Sequence, residues 1–268
     1  MKKIEVRDLT VDYGEREERF TALDGVSFSV KSGEFVSVVG SSGCGKSTLL
    51  SVLEGITRPS GGTAVIDGAP IVGPGTDRGV VFQHYSLFPW MTARHNVTFG
   101  VKQARKDLSP KRRLEVADEF LNQVGLEGFK DKYPSQLSGG MQQRVAIARA
   151  LAMDAEILLM DEPFGALDAK NRIKLQELLL RLWEGRERKK TVVFVTHDID
   201  EAILLSDRVV MLTNSPGRVH GEILVPFPRP RGRAKLVRTP EYSKLRSELL
   251  SLLFNDLSRK IGGEEVVL

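Results

Sequence analysis

Nine consecutive residues combine the glycines, hydroxyls and lysine that bind a phosphate chain. They are Gly40, Ser41, Ser42, Gly43, Cys44, Gly45, Lys46, Ser47 and Thr48. Glycines let successive backbone N–H groups converge on phosphate oxygens, and the start of a helix adds partial positive charge. Lys46 suits the β- and γ-phosphates, and the Ser47 hydroxyl suits Mg²⁺. Because an apolar strand pattern precedes the loop and a helical pattern follows it, the sequence predicts a nucleoside triphosphate site rather than an ordinary glycine turn.

Polar side chains also emerge from three other apolar runs. Asp161 and Glu162 follow one of them directly, while Gln83 and His197 each end another. Ligands of α/β sheets bind at the carboxyl ends of strands, so we expect Asp161 to hold Mg²⁺ and Glu162 to orient and deprotonate a water. Each pattern has a second interpretation when it stands alone. Two acids after a strand also form solvated turns, and a histidine there is more often structural.

A second glycine-bearing turn, Leu137-Ser138-Gly139-Gly140-Met141-Gln142-Gln143, lies between the phosphate loop and the acidic pair. Glycine-rich turns start many helices, so this turn alone is weak evidence of function. Its position in the order of motifs is what makes it informative.

The predicted elements place these residues at strand and helix ends. Residues 4–39 alternate apolar segments with turns at 13–14, 24–25 and 32–33, which predicts β structure. A helix is expected from Lys46, and helical periodicity runs from about residue 100 to 155. Further strands are expected at residues 63–66, 80–82, 157–160, 192–196 and 222–225, with a helix over residues 170–183.

Two of the expected helices have clear capping signals. Ser109-Pro110 starts one of them, whose apolar face comprises Leu114, Ala117, Leu121 and Val124. Thr239-Pro240 starts the other, after an extended proline-arginine segment over residues 226–233. The final helix has a stripe of Leu245, Leu249, Leu252, Leu253 and Leu257. Such a stripe predicts core packing, with a partner-binding helix as the alternative.

Composition narrows the class of protein. The 268 residues carry 39 Lys and Arg against 35 Asp and Glu, and this net charge of +4 is spread along the chain. No apolar run approaches the roughly eighteen residues needed to cross a bilayer. Charged residues near the N terminus argue against a secretory signal, and the single Cys44 cannot form an internal disulfide. We therefore expect a cytoplasmic protein without a structural metal of the zinc type.

Taken in order, the motifs of this chain resemble those of the ATPase subunits of ABC transporters over nearly its whole length. The motifs are the phosphate loop, Gln83, the turn at 137–143, the acidic strand end, Gly165-Ala166-Leu167-Asp168 and His197. The resemblance implies an α/β P-loop NTPase of the ABC ATPase type, with an N-terminal antiparallel β subdomain and an inserted helical subdomain. We expect the ATPase domain to span residues 1–217, with its helical subdomain at about 84–155. Residues 218–268 would form a C-terminal extension.

The resemblance also implies roles for single residues. It implies a head-to-tail homodimer that holds two ATP molecules, each between the phosphate loop of one protomer and the Ser138-Gly139-Gly140 turn of the other. Tyr13 would stack on adenine, and Gln83 would sense Mg²⁺ and a membrane subunit. Asp168 would lie at the dimer contact and His197 at the γ-phosphate. The catalytic residues would be Glu162, as general base, together with His197 and Lys46; Ser47, Gln83 and Asp161 would serve the metal.

Other stretches resemble one subgroup, the importer ATPases for nitrate, sulfonate and taurine. They are residues 34–36, 87–92, 163–169 and 228–231. This implies an ATP-hydrolysing subunit on the cytoplasmic face of the membrane that drives a separate permease, with an extracytoplasmic solute-binding protein as an indirect partner. The chain departs from the subgroup at Ala93-Arg94-His95, which leaves the permease and the substrate open. An export cassette that works with a separately encoded membrane chain is the third interpretation.

The runner-up interpretation is a soluble ABC ATPase that acts on nucleic acid or ribosomes. Such proteins usually have two cassettes in one chain or a long coiled coil before the signature, and this sequence shows neither. We therefore expect no nucleic-acid partner. The apolar cluster Phe88-Pro89-Trp90-Met91 is expected to face a protein partner, with burial inside the domain as the alternative.

Overall fold

The computed structural model describes residues 1–14, 19–185 and 189–261. These residues form two compact units, one made of residues 1–74 with those from 193 onward, the other of residues 75–192. The end of the predicted extension, residues 262–268, lies outside the described residues. None of the helices in the described ranges is both long and apolar enough to cross a bilayer.

An antiparallel sheet forms one side of the first unit. Its strands are β1 (Lys2–Tyr13), β2 (Phe20–Lys31), β4 (Gly61–Ile66) and β5 (Ala69–Pro70). They lie in the order β2-β1-β4-β5. Ile4 and Val6 of β1 are buried and pair with Val30 and Phe28 of β2. Because side chains alternate along a strand, this pattern directs one face of the sheet to the core of the unit.

The turn predicted at Asp24-Gly25 is wrong, because β2 continues through both residues. Gly25 has a φ of 62°, and the pairing with β1 shifts register between Leu23 and Val26. A residue with positive φ at a register shift forms a β-bulge, which bends a strand without ending it. The glycine therefore marks a bulge and not the end of the strand.

The first unit also contains the strand that leads into the phosphate loop. The elements concerned are β3 (Phe35–Val39), β8 (Thr191–Thr196, of which 193–196 belong to this unit), β9 (Arg208–Leu212) and β10 (Val219–Leu224). β3 pairs with β9 in parallel, with Val38 opposite Val210, and β8 is its neighbour on the other side. All residues of β3 are buried, as expected of a strand covered on both faces.

Four helices complete the first unit within the described residues. They are α1 (Lys46–Glu54), α6 (Ile199–Leu205), α7 (Arg233–Leu236) and α8 (Pro240–Ile261). The predicted start of α8 at Pro240 is confirmed. Leu245 and Leu249 of its stripe are buried, which supports the core-packing interpretation, while Leu252 and Leu253 are half-buried. The side chain of Leu257 lies outside the described residues.

The second unit combines a parallel strand pair with a group of helices. Its elements are β6 (Arg78–Val81), β7 (Ile157–Asp161), α2 (Ala93–Ala104), α3 (Pro110–Gln123), α4 (Gly139–Ala152) and α5 (Ala169–Glu184). The helices α2, α3 and α4 pack against one another. Short 3₁₀ turns at Glu127–Phe129 and Pro134–Gln136 connect α3 to α4.

Helix starts in this unit follow their capping side chains. The Ser109 hydroxyl accepts a hydrogen bond from Arg112 N at 3.2 Å, which confirms the predicted start of α3. The helical stretch expected from about residue 100 begins earlier, at Ala93, because the Thr92 hydroxyl caps α2. Leu114 was expected on the buried face of α3 but is 38% exposed.

Candidate active site

The phosphate loop joins β3 to α1 in the first unit. Gly45 caps α1 with a φ of 93° and a ψ of 8°, a left-handed conformation that glycine adopts without strain. The Lys46 side chain is buried, and its Nζ donates to the carbonyl oxygens of Gly40 at 2.8 Å and Ser41 at 2.9 Å. These bonds hold the ammonium against the loop backbone. Lys46 and the N-terminal end of α1 thus both provide positive charge at the phosphate loop.

Neighbouring segments of the chain lie so close to the backbone of this loop that they restrict its conformation. A Cβ added to Gly45 would lie 2.8 Å from the Ala22 carbonyl oxygen, and one added to Gly217 would lie 2.2 Å from that of Cys44. Neither gap admits a side chain, so both glycines are required. The Cys44 side chain itself is fully buried beneath the loop.

Tyr13 and His197 also belong to the first unit. Tyr13 is 43% exposed, and its hydroxyl donates to Thr48 Oγ1 at 3.4 Å, so the ring stands beside the first turn of α1. His197 directly follows β8, the neighbour of the phosphate-loop strand, and its side chain is exposed. The structure therefore brings Tyr13 to the phosphate loop through a direct contact and His197 to the end of the adjacent strand.

The acidic pair lies at the end of β7 in the second unit. Asp161 is the last residue of the strand, and Glu162 follows with a φ of 38°. A left-handed conformation in a residue with a side chain costs about 1–3 kcal/mol, and such strain clusters at functional sites. The Gly165 amide donates to the Glu162 carbonyl at 3.1 Å, which closes a tight turn. This turn fixes the backbone at Glu162, whose side chain is half-buried.

Gln83 emerges at the same end of the strand pair as the acids. β6 runs parallel to β7, with Val81 opposite Met160, so residues that follow the two strands leave the sheet on one side. Gln83 is exposed two residues beyond β6. The second unit therefore gathers a carboxylate pair and an amide at one edge, all of them oxygen donors of the type that Mg²⁺ prefers.

The glycine turn at 137–143 forms the start of α4. Ser138 is its N-cap, and its hydroxyl accepts from Met141 N at 3.4 Å. A Cβ added to Gly139 would lie 2.6 Å from the Tyr85 hydroxyl, so a larger residue there would displace the end of that side chain. A Cβ added to Gly140 would meet nothing described nearer than Asn171, at 3.7 Å. Contacts within the described chain therefore do not require a glycine at 140, whereas the close approach of a ligand would.

Asp168 caps α5 in the same unit. Its Oδ1 accepts from the Asn171 amide at 3.0 Å and its Oδ2 from the Asn171 side chain at 2.6 Å. These hydrogen bonds lower the pKa of the Asp168 carboxyl, with the backbone bond of Asn171 as the largest cause. The exposed carboxylate is therefore held charged and fixed in direction.

Arg149 is a site-supporting residue that sequence reasoning missed. Its guanidinium lies in the interior of the second unit and donates to the Ser86 carbonyl at 2.8 Å and to that of Tyr85 at 3.5 Å. Burial lowers the pKa of this guanidinium. Arg149 thereby attaches α4, whose N-cap is Ser138, to the segment that follows Gln83. An arginine in a helical pattern predicts a solvated face, so the sequence held no signal for this contact.

Asn96 is the second residue of this kind. Its side chain is fully buried; Nδ2 donates to the carbonyls of Phe88, Met91 and Thr92 at 3.1–3.2 Å, and Oδ1 accepts from Phe88 N at 2.8 Å. These bonds fold residues 88–92 into a compact segment, called here the aromatic turn. The Phe88 ring packs on Phe99 at 4.8 Å and on Trp90 at 5.5 Å between centroids.

Trp90 decides between the two interpretations of the apolar cluster. It is 69% exposed, although the turn that carries it is rigidly held. Burial of the cluster inside the domain is therefore wrong for Trp90. A fixed, exposed indole is the kind of group that anchors a protein interface.

We predict that Asn96→Ala destabilises the protein by about 1–3 kcal/mol, because it leaves buried backbone groups of the aromatic turn without their partner. Urea unfolding followed by circular dichroism measures this loss. Asn122→Ala, at an exposed position of α3, serves as the control and should change stability little. A midpoint for Asn96→Ala equal to that of the control would contradict the role assigned to Asn96.

The sequence of this chain is similar to those of known ATP-binding transport proteins. The family model described as ABC transporter matches residues 23–165. The nitrate import ATP-binding protein NrtD of Synechococcus elongatus is 52% identical over 236 residues, which cover 88% of this chain and 85% of the relative. The bicarbonate transport ATP-binding protein CmpD of the same organism is 49% identical over 237 residues, 88% of this chain and 84% of the relative.

A solved structure extends the likeness to the fold. The dimeric post-hydrolysis state of the ATP-binding cassette MJ0796, bound to ADP and Pi, matches with a TM-score of 0.74 and 38% identity over 84% of this chain and 100% of that one. The expected fold class, a P-loop ABC ATPase with an antiparallel β part and a helical part, is confirmed. The chain belongs to the ABC transporter family and is an ATP-binding ATPase subunit of an ABC transporter.

Proposed function

We propose that this chain is the energy-coupling ATPase of an importer for a small inorganic or organic anion. The observation that carries the ATPase activity is the glycine-capped start of α1 with Lys46 held over it. The likeness to the nitrate and bicarbonate relatives supports a small anion as the transported substrate. Sulfonates and taurine belong to the same proposal. In this role the chain works as a peripheral protein on the cytoplasmic face of the membrane.

ATP is bound through the phosphate loop and Tyr13. Backbone N–H groups of residues 41–48 and the Lys46 ammonium neutralise the phosphates, while the exposed Tyr13 ring supplies a face for adenine. Ser47, Asp161 and Gln83 offer a hydroxyl, a carboxylate and an amide, the oxygen donors that fit Mg²⁺. When bound, Mg²⁺ would neutralise charge on the β- and γ-phosphates.

Hydrolysis requires a base and a group that stabilises the charge on the γ-phosphate. Glu162 takes the proton of the attacking water, because it is a carboxylate at the end of β7 whose backbone is held by the turn from 162 to 165. His197 donates a hydrogen bond to the γ-phosphate. Both roles rest on the resemblance of these positions to the family motifs and on their places at strand ends.

Two copies of the chain act together in this proposal. Ser138, Gly139 and Gly140 of one protomer would contact the ATP held by the phosphate loop of its partner, and Asp168 would lie at the contact. The support from this chain is the absence of any packing reason for Gly140 among the described residues. ATP drives closure only if it binds the closed dimer more tightly than the open one.

The aromatic turn is the proposed contact with the permease. Beside it lies the departure at Ala93-Arg94-His95, at the start of α2, where the amides of Ala93 and Arg94 donate to the carbonyls of Lys132 and Lys130. The Arg94 guanidinium also donates to Asp118 of α3 at 2.8 Å. Arg94 thus links α2 to α3, and the exposed His95 is the departing residue that remains available to a permease helix.

We predict that Trp90→Ala weakens binding to the membrane subunits by about tenfold or more, because aromatic anchors dominate interface energies. Co-purification of tagged cassette with the membrane subunits measures the loss. Leu224→Ala, which shortens another exposed apolar side chain, should leave binding unchanged. Equal recovery of membrane subunits with Trp90→Ala and wild type would exclude the aromatic turn as the contact.

The substrate is tested through the associated capture protein. Membrane subunits co-purified with this chain identify the transporter, and calorimetry of its solute-binding protein with nitrate, bicarbonate, taurine and an alkanesulfonate identifies the anion. Recovery of ribosomes or DNA in place of membrane subunits would refute the transport role. A transporter without any capture protein would favour export.

A further inference from the structure

The helix α6 directly follows His197 and is tied to it at its start. Asp198 caps the helix, accepting from the amides of Asp200 at 2.8 Å and Glu201 at 3.1 Å. The Glu201 carboxylate accepts from the hydroxyl of Thr196, the residue before His197, at 2.8 Å. The side chains on both sides of His197, those of Thr196 and Asp198, are therefore hydrogen-bonded to the first turn of α6. Any shift of that turn moves the histidine.

The far end of α6 is capped by arginines from the proline-arginine segment. The side chain of Arg231 is 2% exposed and donates to the carbonyls of Ile203 at 3.0 Å and of Ser206. Arg229 donates to the Leu205 carbonyl at 2.6 Å. The last carbonyls of a helix have no partner within the helix, and its C-terminal end is electronegative, so guanidinium groups stabilise it. The segment predicted as extended thus serves as a cap.

The first turn of α6 is held by α8. The Tyr242 hydroxyl donates to Asp200, and Arg246 Nε donates to the same carboxylate oxygen at 2.9 Å. Burial, and next the bond to Asp200, raise the pKa of Tyr242, so its hydroxyl remains a donor throughout the physiological range. Arg246 is exposed and contributes nothing to the core.

Covering the core does not explain these contacts. Leu245 and Leu249 already anchor α8 by burial, and the Tyr242 ring packs near Phe227 at 6.4 Å. The hydrogen bonds that the extension makes to both ends of α6 add nothing to the burial of these apolar side chains. They restrain the position of α6 instead.

We propose that residues 226–246 form a clamp on α6 that sets the position of His197, with Tyr242 and Arg246 as positioning residues for ATP hydrolysis. The clamp rests on the proposed role of His197 at the γ-phosphate. It gives the C-terminal extension a function in catalysis without contact with the nucleotide.

The test compares Arg246→Met with Lys244→Met in the full chain. Both remove one exposed cation from the same stretch of α8, but only Arg246 is bonded to Asp200. We expect Arg246→Met to lower kcat for ATP hydrolysis about threefold to tenfold, with KM for ATP nearly unchanged, as is usual when coupling to a site is weakened. Hydrogen exchange of amides 198–202 should become faster. Lys244→Met should change neither, and Arg246→Lys should restore part of kcat.

Tyr242→Phe, which keeps the buried ring and removes the hydroxyl, should act in the same direction as Arg246→Met. Unchanged kcat and exchange in both variants would overturn the clamp, as would an effect on KM alone or an equal effect of Lys244→Met. The role of His197 is tested separately by His197→Ala. If that variant hydrolyses ATP normally, the proposed role of His197 fails, while faster exchange in Arg246→Met would still show the contact between the extension and α6.

Discussion

Glu162→Gln is expected to lower ATP turnover by about 10² to 10⁴, the usual loss when proton transfer by a side chain is removed. Glutamine has nearly the same shape but cannot accept the proton of water. ATP binding should persist, because the phosphate loop is unchanged. Phosphate release measured at saturating ATP gives the turnover, and equilibrium binding of a fluorescent ATP analogue gives the affinity.

The backbone at this position makes the substitution a clean test. Glu162 has a φ of 38°, and glutamine meets the same strain there, so the turn to Gly165 should survive. Glu177→Gln makes the same chemical change at an exposed position of α5 and should leave turnover unchanged. Hydrolysis by Glu162→Gln within a few fold of wild type would remove Glu162 from the role of general base.

Local patterns explain why much of the fold could be predicted. The apolar run of β3 predicts a buried strand because a strand covered on both faces has no polar side. Ser109-Pro110 predicts the start of α3 because its capping bond lies within a few residues. The same reasoning failed at Gly25, where a bulge and a turn both require positive φ. Only the pairing with β1 distinguishes the two.

The supporting residues could not be predicted, because their roles depend on distant contacts. Arg149 bonds carbonyls more than sixty residues away, and Asn96 folds the aromatic turn from inside α2. Arg231 caps a helix that ends well before it in the chain. In each case a polar residue type predicts exposure, and the tertiary structure buries it beside backbone carbonyls. The residues of the motifs could be proposed from the sequence because ATP chemistry restricts their types and spacing, and their roles stay predictions.

Ser138→Arg is expected to abolish ATP-dependent dimerisation and hydrolysis while the monomer still binds ATP within a few fold of wild-type affinity. An arginine on the exposed start of α4 would occupy the space that the partner's nucleotide needs. The measurement is light scattering after size exclusion in a Glu162→Gln background, where ATP is not consumed. The Glu162→Gln protein should form a dimer with ATP, and adding Ser138→Arg to it should leave a monomer.

Loss of the helix cap is a separate consequence of this substitution and needs its own control. Ser138 accepts from Met141 N, and losing such a cap costs about 0.5–2 kcal/mol. Ser109→Arg removes the equivalent cap of α3 in the same unit, where no nucleotide contact is proposed. That variant should dimerise with ATP despite its lower stability. If Ser138→Arg also dimerises, or if its monomer no longer binds ATP, the turn does not serve the partner's nucleotide, and Gly140 needs another explanation.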